Sequence, residues 1–317
     1  MAGHDVVPPT PAPETGELLV GITDAPGDFA KYEVDVLQVT LERANGDTVA
    51  TLPLVTRIDF AQLTEVTEFL SVATVPVGTY ESVAVRLDFT EADIWVQTEG
   101  DDVKATAVDD QGNALGEMDV RLDLTTSDVI RIRRGIPAAF SLDLDLEAST
   151  DIDLDVEPPQ VTVEPMVLAT PELEADREHR VRGAISDVDT EGSEFTLRVR
   201  PFRHRTGQFG ELTVATDDQT QYEVDGQGYT GADGLEAMAQ LDEGAPVVSN
   251  GRITGTGMTA DTVLAGTSVP WSDDNVVKGV VTARVGDTLT VRGAHVQFAN
   301  APEVFRGEFS ILLGDGT

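Results

Sequence analysis

Along most of this chain apolar side chains recur at every second residue, the period of a strand that buries one face. In 33–43 (EVDVLQVTLER), Val34 and Val36 alternate with polar neighbours, and Val39 and Leu41 resume after one slip, which predicts a bulged strand. In 80–89 (YESVAVRLDF), Val83, Val85, Leu87 and Phe89 repeat the pattern. It is cleanest in 141–147 and 151–156. There Leu142, Leu144, Leu146, Ile152, Leu154 and Val156 fall on one face, and Asp143, Asp145, Asp151, Asp153 and Asp155 on the other. Turn formers separate the runs: Ala25-Pro26-Gly27, Asn45-Gly46, Val77-Gly78 and Gln111-Gly112-Asn113. Many short strands with regular turns predict a β-sandwich over 17–168. The one candidate helix there is short, at 59–70.

Either side of that unit the pattern lapses. Residues 1–16 hold prolines at 8, 9, 11 and 13 and read as a polyproline-type spacer. Its Val6 and Val7 are the residues expected to dock on another surface. Residues 169–179 form an acidic linker. A second module follows, and it repeats: Val181-Arg182-Gly183-Ala184-Ile185 matches Val277-Lys278-Gly279-Val280-Val281, and 209–220 aligns without gaps on 306–317. The first copy is assigned to 180–270, with a short helix at 233–241 and a strand pair near 251–264. The second, 271–317, stops half-way through its counterpart, and the polypeptide is expected to continue.

Charge narrows the partners. The 317 residues carry 57 acids against 21 bases, a formal net charge of −36. Such a field repels phosphates, so nucleic acid is a poor partner. Lysine occurs only at 31, 104 and 278. Acid-rich, lysine-poor composition fits salty surroundings, where counter-ions screen self-repulsion within about 3 Å at 1 M. With no cysteine there are no disulfides, thiolate metal sites or thiol nucleophiles. No run approaches the roughly 18 apolar residues of a membrane helix.

Thr23-Asp24-Ala25-Pro26 and Val75-Pro76-Val77-Gly78-Thr79-Tyr80, together with Asp59 and Leu63, resemble the domain-of-unknown-function family numbered 4382 over about 17–168. The repeat, through Gly183/Gly279 and Leu241…Gly244…Val247…Gly251, resembles the family numbered 5666. These resemblances imply bacterial or archaeal envelope proteins, often lipoproteins, with no assigned activity. The fold implied is all-β: a transthyretin-like or immunoglobulin-like sandwich, then small OB-like barrel repeats.

Candidate chemistry is sparse. Asp24 and Asp28 flank a Pro-Gly turn and read as turn-capping carboxylates. Residues 187–192 (DVDTEG) open like a calcium loop, but the twelfth position is Arg198 where a bidentate Glu belongs, so a hairpin turn is expected. Asp143, Asp145, Asp151, Asp153 and Asp155 are the candidate metal ligands, with calcium the candidate cation, if neighbouring strands bring them together. Arg198, Arg200, Arg203 and Arg205 crowd one segment and are the candidate docking patch for an acidic surface. The four histidines (4, 179, 204, 295) show no ligand spacing. The reading is a non-enzymatic extracellular or outer-surface protein, structural or adhesive, that associates with itself or with other envelope proteins. A calcium- or polysaccharide-binding module, using the acidic faces or the Trp95 region, is the alternative.

Overall fold

Period-two segments bury one face only by pairing edge to edge, and here they become strand almost throughout. A computed structural model of the chain describes residues 14–314 apart from 25–26, 165–166, 171–172, 174–175, 203, 255–256, 271–274 and 299–300. Val6, Val7 and Arg203 therefore lie outside the described residues.

The first unit opens with β1 (Thr15–Thr23), β2 (Phe29–Glu42), β3 (Thr48–Ala50), β4 (Thr56–Asp59) and β5 (Val66–Pro76). Next come β6 (Gly78–Tyr80), β7 (Ser82–Val96), β8 (Val103–Val108), β9 (Glu117–Asp123) and β10 (Ile130–Ile132). It closes with β11 (Ala138–Leu144), α1 (Leu146–Ser149), β12 (Thr150–Asp153), β13 (Gln160–Val163) and β14 (Val167–Thr170). One sheet runs β14-β11-β1-β5; the other runs β12-β13-β8-β7-β2-β3, with β4 on β2 and β9 on β7.

A single apolar cluster joins the two sheets. Val34, Val36, Val39 and Leu41 are fully buried, and the β2–β7 register shifts between Val36 and Gln38, at the predicted bulge. Each such side chain contributes about 1.5–3 kcal/mol on burial, so the apolar cluster holds the unit and polar pairs fix its register.

Two expectations need correction. Thr15 and Gly16, assigned to the spacer, belong to β1 and pair with Pro76 and Val75. The helix expected over 59–70 is only a single 3-10 turn, Phe60–Gln62, before β5. β-branched residues dominate β5, and its first six residues are buried on both faces, which suits a central strand.

The second unit comprises β15 (Glu178–Asp189), β16 (Glu194–Val199), β17 (Glu211–Ala215), β18 (Gln221–Val224) and β19 (Gln227–Thr230). After these come α2 (Ala232–Met238), β20 (Pro246–Thr254) and β21 (Gly257–Ala265), close to the predicted helix and strand pair. Pairings run β15-β16-β17-β21-β20 and return to β15. Only Val214↔Met258 and Ala215↔Thr259 join β17 to β21, so the ring is partly open, on the plan of an OB-fold. Finally β22 (Val276–Val285), β23 (Thr288–Phe298) and β24 (Ala301–Leu312) form a three-stranded antiparallel meander, as do β15, β16 and β17. The segments that match in sequence thus both lie in three-stranded meanders.

The units share a sheet. β5 pairs with β1 along one edge and, in parallel, with β15 along the other, through Glu178↔Val66, His179↔Thr67 and Arg180↔Glu68. Glu68 is fully buried, and both Arg180 and Arg182 form ion pairs with it, the latter at 3.0 Å. Buried His179 stacks on Phe69 with centroids 5.7 Å apart. Further along β5, Val72 N–H donates to the Phe209 carbonyl at 2.7 Å. The next residue, Gly210, has φ +90°, and a Cβ there would lie 2.0 Å from the Val72 oxygen, so only glycine fits.

Removing one member of a buried ion cluster leaves the others desolvated and unpaired. Glu68→Gln preserves shape but strips the two guanidiniums of their counter-charge. It should cost about 3 kcal/mol in urea unfolding at pH 7. A change below about 0.5 kcal/mol would contradict this role.

Candidate functional site

The five candidate metal ligands do not converge. β11 and β12 belong to opposite sheets, with α1 between them, so Asp143 is separated from Asp151 and Asp153. Asp145 instead caps α1, accepting from Ala148 N at 3.0 Å, and Asp153 accepts from Asp155 N at 2.9 Å in a turn. Leu154, expected on the core face, is exposed. Among the described residues no group of three or more His, Asp or Glu stands at metal-holding distance. The 187–192 segment is the predicted hairpin turn: Asp189 Oδ1 accepts from Glu191 N and Gly192 N at 3.0 and 2.8 Å.

The motif residues of the first unit organise its turns. Buried Asp24 reaches across the fold, accepting from Leu146 N at 3.3 Å, 122 residues away, while residues 25–26 of the turn it is expected to cap lie outside the described residues. Arg177, from the linker, donates to the carbonyls of Asp24, Leu63 and Thr64 at 3.2, 3.0 and 2.7 Å. Asp59 accepts from Tyr32 N at 2.9 Å and Gln62 Nε2 at 2.7 Å; burial raises its pKa against those bonds. Arg43 clamps the β5–β6 turn, donating to the carbonyls of Pro76 and Val77 at 3.1 and 2.8 Å while lying over the Tyr80 ring.

Residues 15–165 match a domain of unknown function, DUF4382. No curated protein and no solved structure matches the chain. In this first unit, then, the motif residues hold turns and the linker arginine in place.

A cleft of about 1020 Å³ opens where the first unit meets both later parts of the chain. Glu33, Asp35, Thr56, Arg57 and Asp59 line it from β2 and β4, Arg180, Arg182, Gly183 and Ala184 from β15, and Gln297 and Phe298 from β23. Arg200, Phe202, His204 and Arg205 add a further wall. The expected arginine patch is therefore divided. Arg198 pairs with Glu243 at 2.8 Å, while Arg200 and Arg205 line the cleft with no carboxylate partner among the described residues. Burial, with Arg198 nearby, lowers the Arg200 pKa. His204 contacts Thr56 Oγ1 at 3.1 Å and packs on Phe209, pinning the arginine loop to the first unit. Burial pushes its imidazole below the usual histidine range, so it is neutral at pH 7.

The opposite wall is internally neutralised. Arg57 bridges Glu33 and Asp35 at 2.9 and 3.3 Å, and buried Lys31 pairs with Glu33 and Asp93 at 3.2 and 2.8 Å. Burial opposes ionisation of Asp93, but hydrogen bonds from Lys104 and Lys31 outweigh it and hold the carboxyl at about 2. Trp95, a candidate for sugar contact, donates to Asp93 at 3.0 Å and lies under Phe305 with ring centroids 5.0 Å apart. That ring is packing surface for β24. Arg292 fastens the same contact through Asp102 at 2.7 Å.

Glu68, Arg177, Arg180 and Arg182 were missed as site residues in the sequence. The signal was there: Arg180 and Arg182 two apart on one strand face, and a lone Glu inside an apolar run.

A carboxylate whose pKa falls on folding stabilises above its unfolded value, about 3.9, and loses that contribution as pH drops towards its folded value. Asp93→Asn should therefore cost about 1–2 kcal/mol at pH 7, discounted for partial exposure, and almost nothing near pH 2. Urea midpoints at both pH values test this; a pH-independent difference would contradict it.

Proposed function

We propose that this protein is a non-catalytic structural or adhesive component of the cell exterior, acting as a rigid multi-domain presenter. The observation that carries the reading is the unbroken sheet from β14 through β5 into β15, which fixes one domain against the next by backbone hydrogen bonds. Flexibly linked domains lack such a ladder. The net charge of −36 and the absence of cysteine favour a protein that stays soluble in saline surroundings and needs no redox partner. Likeness of the repeat to the 5666 family, and anchoring through lipid, belong to the same proposal. Calcium binding by the aspartate faces loses support, because those residues lie in different sheets. Polysaccharide recognition gains from the cleft.

Brief protease treatment of intact source cells should remove the protein while a cytosolic marker survives. Full protection until lysis would overturn the placement.

A further inference from the structure

One cleft of this acidic molecule gathers arginines from separate segments, among them Arg180, Arg182, Arg200 and Arg205. Arg180 and Arg182 both form ion pairs with one carboxylate, Glu68. Arg200 and Arg205 have no carboxylate partner among the described residues, and Lys278 approaches within 3.3 Å of Gln62 at the rim. Desolvation first, and then the nearby Arg180 and Arg182, lower the Lys278 pKa, with Asp59 and Glu68 opposing. Phe202 lies under the Arg182 guanidinium at 5.8 Å and holds it at the cleft wall.

We propose that this cleft binds an acidic oligosaccharide through its carboxylate groups, with Arg200 and Arg205 as the principal anion contacts and Arg182 as support. Planar guanidiniums take carboxylates in bidentate fashion, which suits a uronate better than a point charge would. The rest of the lining fits the remainder of a sugar. Asp225 and Asp242 offer acceptors for hydroxyl groups, and Val55, Val247 and Phe298 offer apolar surface for ring faces. A cavity of about 1020 Å³ stands at the upper end of small-ligand pockets and takes several rings. A polynucleotide would meet the same arginines, but its many phosphates would be repelled by the field of −36 more strongly than the few carboxylates of a short oligosaccharide. The inference goes beyond the proposed function and does not depend on where the protein resides.

Calorimetric titration of the whole protein in 0.15 M salt tests it, with tetragalacturonate, neutral galactotetraose and inorganic sulfate as ligands. Tetragalacturonate should bind, and the neutral sugar and sulfate should bind at least tenfold more weakly. Arg200→Gln and, separately, Arg205→Gln should each weaken tetragalacturonate binding about tenfold. Arg205 is exposed, so its variant should fold whatever Arg200→Gln does. Arg284→Gln, on the exposed face of β22, controls for overall charge and should leave affinity unchanged. No tetragalacturonate binding, equal affinity for sulfate, or equal weakening by Arg284→Gln would each overturn the proposal.

Discussion

Glu68 is a carboxylate where solvent does not reach it, and the ion-pair partners it has among the described residues, Arg180 and Arg182, come from the next domain. An unpaired buried carboxylate is expensive, so β5 is completed only when β15 lies beside it with Arg180 and Arg182 in register. The backbone ladder then extends one sheet across the boundary, and the Val72–Phe209 hydrogen bond and the close approach of Gly210 follow from the same alignment. Apolar burial supplies most of the stability on either side; the ion cluster determines how the two sides meet.

The cleft is a consequence of that junction. With β15 fixed against β5, the arginine loop comes to face β4, and His204 closes the contact on Thr56. One wall is then paired acid and base, from Arg57, Glu33 and Asp35, and the other carries Arg180, Arg182, Arg200 and Arg205 beside Asp225 and Asp242. Much of the acidity elsewhere serves turns. Asp109, Asp189 and Asp217 each accept from backbone N–H groups two or more residues ahead, as Asx turns do. A strongly negative composition thus coexists with arginines gathered in one cleft.

How far the sequence revealed this follows from the range of the forces involved. Alternation of Val34, Val36, Val39 and Leu41 declares strand and bulge, because side-chain period is local. The repeat shows as the same meander in β15–β17 and β22–β24. Pairing partners were not legible: β11 and β12 are neighbours in sequence yet lie in opposite sheets, which dismantled the aspartate cluster. Residues 66–76 read partly as helix because a strand buried on both faces shows no alternation. Arg200 and Arg205 were visible as an arginine run, but their place in a cleft depends on a fold that brings residue 204 to residue 56.

Native-state amide hydrogen exchange along β5 and β15 tests the central claim most directly, since it reads the opening free energy of each strand separately. If the shared sheet makes one body, amides of Thr67–Ser71 and His179–Ile185 should open with the same free energy, and Glu68→Gln should lower both sets together. Exchange through β15 at clearly lower free energy, with β5 protection unaltered by the substitution, would show two independent domains and contradict the account.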